Sequence, residues 1–322
     1  MNNVIENSNW FVLHNPASGG GKSKNDWPRI ETMLQKAGIH FIKKTTEYKA
    51  HALEIINEAL DNQYRKFIVI GGDGSLNETI NAIYTHNNAI PENVTIGYLP
   101  VGTGNDWAKT MKIPASSYQK ALDIIKNNKI LKQDIGIVLC NLNGEKVKRY
   151  FLNIASVGYS GYIAQKLELS RAGGKSTNKF TYLLSIAKGL FKYKASQIKF
   201  SFNNTISNHV LYFGAIAIGK FFGNGMQPAP LAHPADDLFE LTIVDEQSPL
   251  QVVRKMKNLY SGNINHYRDV HLHKTNEVSI ESDNIIPIET DGEFIGETPA
   301  TFQMSPKKIN MIINNDEFLQ AV

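Results

Sequence analysis

The residues best suited to chemistry are Gly-Gly-Asp-Gly at 71–74, directly after the apolar run 67–70. The β-branched and aromatic residues of that run predict a buried strand. A helix is predicted to follow, because Ser75 and Glu78 have the spacing of a capping box. Glycines between a strand and a helix leave backbone N–H groups open to an anion, usually phosphate. A carboxylate would repel phosphate unless a cation or a transferable proton lay between them, so Asp73 favours phosphoryl transfer over anion binding alone.

Two further glycine-bearing loops follow predicted strands. Residues 15–23 approach a P-loop, but Pro16 takes its first glycine position and cannot donate an N–H. Residues 99–108 begin like a dinucleotide fingerprint, but Trp107 stands at its third glycine. The sequence therefore argues against a Walker-type NTPase and a Rossmann dehydrogenase. The polar residues of the later loop that can bind phosphate, ribose, base or a hydrated metal are Thr103, Asn105 and Asp106.

A late acidic segment, Glu-Thr-Asp-Gly-Glu at 289–293, lies between strand-like stretches. Asp-Gly is a common β-turn signal, so a purely structural turn is one interpretation. The other is functional: two carboxylates on a tight turn could reach into a cleft between domains. Glu293 could then take the proton of an attacking hydroxyl.

The elements that must position these residues change character near residue 130. Before it, strands and helices alternate, which predicts a parallel sheet with both faces covered and ligands beyond the carboxyl ends of its strands. After it, strand-like segments and turn signals predict an antiparallel β-sandwich. We expect an α/β domain over 1–132 and an antiparallel β domain over 133–305, with 306–322 returning to the first.

Composition restricts the class of protein. The 322 residues are 42% hydrophobic, contain one cysteine, Cys140, and have no apolar run long enough to span a bilayer, so any membrane contact should be peripheral. Residues 166–199 hold eight basic residues and one acidic residue, although the whole chain carries only +4. This local excess argues against general nucleic-acid binding. A predicted basic helix over 180–193 could dock on anionic headgroups or pack against the sandwich.

Four ordered segments together resemble the diacylglycerol kinase catalytic-domain family, which includes bacterial lipid kinases and the sphingosine and ceramide kinases. They are 15–19, 71–78, 99–106 and 291–293. The resemblance covers nearly the whole chain. It implies an N-terminal three-layer α/β nucleotide-binding domain, like those of NAD kinase and phosphofructokinase, and a C-terminal antiparallel β-sandwich. It also implies a cytoplasmic kinase at the inner face of the membrane, with ATP and Mg²⁺ as cofactors and diacylglycerol as the expected acceptor, giving phosphatidic acid.

The resemblance implies three sets of site residues. Those that would bind ATP are Asn15, Pro16, Ala17, Ser18, Gly19, Thr46, Gly72, Asp73, Gly74, Ser75, Leu76, Asn77, Glu78, Gly102, Thr103, Asn105, Asp106 and Asp291. Asp73 would hold the catalytic Mg²⁺ with support from Asp106. Glu293 would accept the proton, a role that Asp73 takes in accounts of the sphingosine kinases.

A third set would bind a structural Mg²⁺ through the Asp236 side chain and the nearby backbone of His233 and Leu238. The chain departs from the family pattern at two positions. Asp237 stands where glycine is usual, and Ser75 stands where threonine is commoner. The first departure bears directly on the geometry of the metal loop.

Three alternatives stay open. One is a sphingoid-base, ceramide or other lipid kinase. Another is an NAD kinase, which shares the 71–74 loop but not residues 102–106 or 291–293. The third is a nucleotide-sensing regulator without catalysis, against which Asp73, Asp106 and Glu293 argue. The expected partner is a lipid at a membrane surface, with no nucleic acid, and a homodimer is left open.

Overall fold

The computed structural model describes residues 9–172 and 189–318. Within these ranges the chain forms two compact units. The first runs to Ile135 and takes up Pro234–Asp236 and the residues from Ser305 onward, and the second comprises Gly136–His233 and Asp237–Met304. The predicted basic helix over 180–193 lies mostly outside the described residues.

The first unit alternates strands and helices, as its sequence pattern predicts. Numbered in chain order, its elements are β1 (Trp10–His14), α1 (Lys22–Lys36), β2 (Phe41–Thr45), α2 (His51–Asp61), β3 (Lys66–Gly71), α3 (Asp73–Thr85), β4 (Thr95–Pro100), α4 (Asp106–Thr110), α5 (Tyr118–Asn127), β5 (Ile130–Gln133) and β16 (Ile309–Ile312). Short 3₁₀ turns cover Pro91–Asn93 and Asp316–Phe318.

The sheet of this unit has the order β2-β1-β3-β4-β16-β5. Neighbouring strands are parallel except for the last pair, in which β5 runs antiparallel to β16. Consecutive residues are buried along 67–71 and 96–100, so both faces of the central strands are covered. Helix α2 packs against α3, and α1 packs against α5. The predicted α/β architecture is confirmed.

The second unit is built mainly of strands. Its elements are β6 (Gly136–Leu142), β7 (Glu145–Phe151), β8 (Ile154–Gly158), α6 (Tyr159–Ala172), β9 (Ser196–Phe202), β10 (Thr205–Ala217), β11 (Phe239–Asp245), α7 (Pro249–Ser261), β12 (Val270–Thr275), β13 (Glu277–Glu281), β14 (Pro287–Thr290) and β15 (Glu293–Met304).

All strand pairs of this unit are antiparallel, which confirms the predicted class. The pairing closes on itself, because β10, β8, β14, β15, β13 and β9 form a ring that returns to β10. Strands β11 and β12 extend from β10, while β6 and β7 join β15. The interior is apolar, and Phe151, Phe200, Phe239 and Phe302 are completely buried in it.

Two helix starts differ from their predictions. Helix α1, which the sequence predicts over 27–37, begins instead at Lys22, directly after Gly21 in the left-handed conformation, and it continues through Pro28. The predicted capping box at Ser75 and Glu78 is wrong. Helix α3 begins at Asp73 with Gly72 at its N-cap, and no side chain caps it.

Two elements of the second unit were not foreseen. Helix α7 starts at a complete capping box formed by Ser248 and Gln251, with Pro249 at its first position. Strand β15 was missed because Pro299 interrupts its pattern, and its pairing with β6 shifts register around that residue. Among the described residues, no helix is long and apolar enough to cross a membrane.

Candidate active site

The carboxyl ends of three adjacent strands, β1, β3 and β4, carry the three glycine-bearing loops. We refer to residues 15–21 as the first loop, 71–74 as the second loop and 101–105 as the third loop. Parallel strands end at one edge of the sheet, so the loops are neighbours. The structure therefore brings the three predicted phosphate-binding segments together.

Close backbone contacts join these loops. A Cβ atom on Gly102 would lie 2.7 Å from the Cα atom of Gly72, and one on Gly19 would lie 2.4 Å from the Val101 carbonyl oxygen. The amide of Asn15 also donates to the Ser75 hydroxyl at 2.9 Å. Glycine is required at positions 19 and 102 because any side chain there would push the loops apart.

The Asp73 carboxylate, on the second loop, lies against the end of the third loop and the start of α4. It accepts hydrogen bonds from the backbone N–H groups of Asp106, at 3.1 Å, and Trp107, at 3.3 Å. It therefore caps the N-terminus of α4. The Asp106 carboxylate is close by, since a Cβ atom on Gly104 would lie 3.1 Å from an Asp73 oxygen and 3.4 Å from an Asp106 oxygen.

Burial and the negative charge of Asp106 raise the pKa of Asp73 to about 6, against the lowering effect of its two N–H donors and of Lys109. Lys109 neutralises only part of this charge, through an ion pair with Asp106 at 2.7 Å. A divalent cation would relieve the remaining repulsion, and carboxylate oxygens are ligands that Mg²⁺ prefers. The donor set thus fits a Mg²⁺ ion.

The other predicted nucleotide residues differ in what they can offer. Thr103, Ala17 and Gly19 are exposed at the loops. The side chains of Leu76 and Asn77 are buried in α3, so only their backbone could face a ligand. Glu78 accepts a hydrogen bond from the Ala50 N–H at 3.3 Å.

Several of the remaining predicted positions support the loops themselves. The N–H of Thr46 donates to the His14 carbonyl at 2.9 Å, which places Thr46 beside the start of the first loop. The Asn105 amide donates to the Gly102 carbonyl at 2.7 Å and so closes the third loop. Buried Tyr98, which no motif indicates, donates to the Gly71 carbonyl at 3.1 Å. These contacts fix the backbone around Asp73.

In the second unit, the Asp291 carboxylate is engaged by the backbone. It accepts hydrogen bonds from the N–H groups of Leu152, Asn153 and Ile154 at 3.0–3.2 Å. Asp291 itself has a left-handed φ of 49°, as its turn requires. The acidic turn is therefore fastened to the start of β8, and Asp291 contributes to that structure.

Glu289 is a buried carboxyl that the sequence interpretation did not single out. It bonds to the Ser156 hydroxyl and accepts from the Gly292 N–H at 2.7 Å. Ser156 in turn contacts the Ser160 hydroxyl at 2.5 Å. Burial raises the pKa of Glu289 to about 7, with a further contribution from Asp291. The two acidic residues that follow it, Asp291 and Glu293, give no hint of this burial.

Glu293, the predicted proton acceptor, begins β15 on the other side of the turn. Its carboxylate lies 3.4 Å from the Arg149 guanidinium, and both side chains are about one-quarter exposed. Glu293 is thus held in place yet open to an incoming group. Arg149 was not predicted, because β7 shows no motif around it.

The predicted metal loop at 233–238 contains an informative backbone feature. Asp237, which replaces the usual glycine of the family, has a left-handed φ of 61°. Aspartate tolerates this conformation better than most residues other than glycine. Asp237 therefore takes the backbone conformation that glycine would supply at this position.

Two family models match the chain. Residues 9–138 match the diacylglycerol kinase catalytic domain, and residues 154–313 match the YegS C-terminal NAD kinase beta sandwich-like domain. A diacylglycerol kinase of Staphylococcus carnosus (strain TM300) is 26% identical over 313 residues, which cover 96% of this chain and 97% of that protein.

Solved structures show the same fold. A diacylglycerol kinase from Bacillus anthracis str. Sterne has a TM-score of 0.70 at 18% identity, over 96% of this chain and 97% of that chain. Yeast NADH kinase complexed with NADH has a TM-score of 0.50 at 8% identity, over 96% of this chain and 84% of that chain. At these identities the likeness concerns architecture alone.

The contact between the second and third loops predicts the effect of Gly102→Ala. The new methyl group would meet the Gly72 Cα atom, so we expect a loss of roughly 1–3 kcal/mol in the free energy of unfolding. Urea denaturation measures this loss. Thr103→Ala removes an exposed neighbouring side chain and serves as the control, and equal stability of both variants would contradict the contact.

The burial of Glu289 predicts a pH-dependent stability. The unfolded chain ionises this group near 4.5 and the folded chain near 7, so its ionisation destabilises the fold as pH rises between these values. Glu289→Gln removes this effect. The free energy of unfolding of the variant, relative to that of the native chain, should therefore rise by roughly 3 kcal/mol from pH 4.5 to pH 8. Urea unfolding at both pH values tests this.

The control for that experiment is Glu277→Gln, because Glu277 is exposed on β13. This variant measures the effect of an exposed Glu→Gln substitution under the same conditions. A Glu289→Gln difference that does not change between pH 4.5 and 8 would contradict a raised pKa of Glu289 in the folded chain.

Proposed function

Since this chain belongs to the diacylglycerol kinase catalytic-domain family, we propose that it is an ATP-dependent lipid kinase with diacylglycerol as its acceptor. The product would be phosphatidic acid. The observation that carries this proposal is the pair of carboxylates, Asp73 and Asp106, where three glycine-bearing loops meet. Phosphate-binding loops with a central acidic pair suit transfer of a phosphoryl group from a metal-bound triphosphate.

The nucleotide is proposed to bind at the three loops. Backbone N–H groups at the start of α3 and in the first loop would hold the phosphates, since the first amides of a helix have no intrahelical partner. The side chains of Thr103 and Asn15 would add polar contacts. Because the loops are already locked together by Gly19 and Gly102, little reorganisation would be needed on binding.

Asp73 and Asp106 would hold the catalytic Mg²⁺. When bound, Mg²⁺ neutralises charge on the triphosphate and on the developing transition state. Lys109 would keep Asp106 oriented through their ion pair. A second, structural Mg²⁺ would take the Asp236 carboxylate and the backbone carbonyl groups of His233 and Leu238.

Glu293 is proposed as the general base. The acceptor hydroxyl oxygen would attack the γ-phosphorus, its proton would pass to the Glu293 carboxylate, and the bond to the β,γ-bridging oxygen would break to release ADP. Arg149 would hold Glu293 in position through their ion pair. The three backbone hydrogen bonds to Asp291 would fix the turn that carries Glu293.

The lipid acceptor requires peripheral contact with a membrane, for which α7 is the proposed surface. No acidic residue occurs in Pro249–Ser261, whereas three basic residues do. Leu250 and Val253 are each 58% exposed and Tyr260 is 47% exposed, on the same helical face as Arg254 and Lys257. Exposed apolar side chains interspersed with basic ones are typical of helices that bind anionic membranes.

Substitution of the two proposed catalytic carboxylates tests the kinase assignment. Asp73→Asn removes the metal-binding charge, and Glu293→Gln removes the base. Either should lower kcat by at least about 10²-fold. The measurement is ³²P transfer from ATP to micelles of diacylglycerol, sphingosine, ceramide or phosphatidylglycerol.

Asp123→Asn is the matched control, because Asp123 is exposed on α5 and should leave turnover unchanged. Circular dichroism of each variant checks the fold. If the native chain phosphorylates only sphingosine or ceramide, diacylglycerol is not its acceptor, but the assignment as a lipid kinase stands. Full activity in both carboxylate variants would overturn the assignment.

Vesicle binding tests the α7 surface. Replacing Arg254 and Lys257 with glutamine should weaken binding to phosphatidylglycerol-containing vesicles by tenfold or more. Each basic side chain near an anionic surface contributes about 1 kcal/mol to the binding free energy. Leu250→Ser with Val253→Ser should also weaken binding. Co-sedimentation at low salt measures both.

Ile285→Ser is the matched apolar control, because Ile285 is 72% exposed but lies outside α7. Unchanged vesicle binding in both α7 variants would rule out this surface. A change in sedimentation coefficient on substitution would instead identify the face as a contact between copies of the chain.

A further inference from the structure

A group of side chains on the second unit, remote in sequence from all the glycine-bearing loops, has the composition of a metal site. It consists of His209 on β10, Asp245 at the end of β11 and His271 on β12. One donor atom of each lies within 4.8 Å of the other two. We call these three residues the histidine–aspartate cluster.

Strand pairing explains how the cluster forms. Asp245 pairs with Leu211, and His209 is two residues before Leu211 on the same strand. His271 pairs with Ile243, two residues before Asp245. Each histidine is therefore a diagonal neighbour of Asp245 on one face of the sheet, within reach of its carboxylate.

Asp245 connects the two imidazoles. His209 Nδ1 lies 2.7 Å from one carboxylate oxygen, and His271 Nε2 lies 2.8 Å from the other. The two rings are 5.0 Å apart. Tetrahedral Zn²⁺ with bonds of 2.0–2.2 Å separates its ligand atoms by about 3.3 Å, so small side-chain rotations would position these atoms for a metal. The proton of each hydrogen bond would pass to the other ring nitrogen or to solvent as the metal binds.

The surroundings meet the other requirements of a metal site. The second nitrogen of His209, Nε2, lies 2.7 Å from the Ser207 hydroxyl, whose oxygen can accept a hydrogen bond from the Nε2–H group when Nδ1 binds a metal. The ring of Phe200 packs edge-on against His209 and orients it. The side chains of Asp245 and His271 are about one-third exposed, so an ion can enter from solvent.

We propose that His209, Asp245 and His271 bind one borderline divalent transition-metal ion, of which Zn²⁺ is representative. Two imidazoles with one carboxylate favour Zn²⁺ and similar ions over Mg²⁺, which prefers an all-oxygen shell. The ion would link β10, β11 and β12, where the last two extend from the closed ring. This site is separate from the proposed nucleotide site, and the inference does not depend on kinase activity.

The test uses the 322-residue chain without an affinity tag, dialysed against micromolar Zn²⁺ in the presence of millimolar Mg²⁺. Elemental analysis should find one Zn²⁺ per chain, and Zn²⁺ should raise the melting temperature because it binds the folded state. Co²⁺ should give the intense visible absorption of a tetrahedral site and be displaced by Zn²⁺.

His271→Asn and Asp245→Asn should each weaken Zn²⁺ binding by at least tenfold and abolish the Zn²⁺-dependent rise in melting temperature. Ser207→Ala should weaken binding by roughly 10-fold or more, by removing the partner of His209. His266→Asn is the matched control, because His266 is exposed and outside the cluster. It should bind like the native chain.

Melting curves without metal establish that each variant is folded. His271 lies on the terminal strand of the sheet, so His271→Asn provides the test if Asp245→Asn does not fold. Absence of stoichiometric Zn²⁺ in the native chain would overturn the proposal. So would Zn²⁺ binding that survives unchanged in His271→Asn, or that millimolar Mg²⁺ abolishes.

Discussion

The arrangement of the first unit depends on how one buried carboxylate is accommodated. Asp73 is the first residue of α3, and its carboxylate accepts hydrogen bonds from the first N–H groups of α4. Two helix N-termini thus converge on one acid, beside the second acid of Asp106. Burial makes this costly, as the raised pKa of Asp73 shows. Such a strained cluster of charge is expected where a site needs negative charge to bind a cation, and it has little purpose in a merely structural turn.

The loops around Asp73 can hold it only because their backbones approach closely. Gly19 and Gly102 permit contacts that any side chain would prevent. Tyr98 fixes the end of β3 by donating a hydrogen bond to the Gly71 carbonyl. The second unit follows the same principle with different means. Asp291 draws three backbone N–H groups onto one turn, and buried Glu289 closes that turn from inside, which leaves Glu293 presented with Arg149. In both units, one acid organises the backbone beside a second carboxylate.

Sequence patterns predicted the class of both units, because alternating strands and helices and then successive strands are strong signals. They also identified the three loops, since glycine at the end of a strand leaves backbone N–H groups accessible to an anion. The capping box at Ser75 failed because α3 already begins at Asp73 with Gly72 as its N-cap, so Ser75 is the third residue of the helix. Helix α7 could have been found from Ser248, Pro249 and Gln251. Three other features could not be found in this way: the burial of Glu289, the ion pair of Arg149 with Glu293, and the histidine–aspartate cluster. They depend on contacts between residues far apart in sequence.

The central claim is that Asp73 and Asp106 hold a metal-bound nucleotide at the three glycine-bearing loops. A crystal structure of the chain grown with ADP and Mn²⁺ tests it most directly, because the anomalous signal of manganese identifies the ion and its position. The account predicts the ion at these two carboxylates, directly or through one water, with the phosphates against residues 15–19 and 72–75. A nucleotide bound elsewhere, or a metal ion with no contact to either carboxylate, would contradict it.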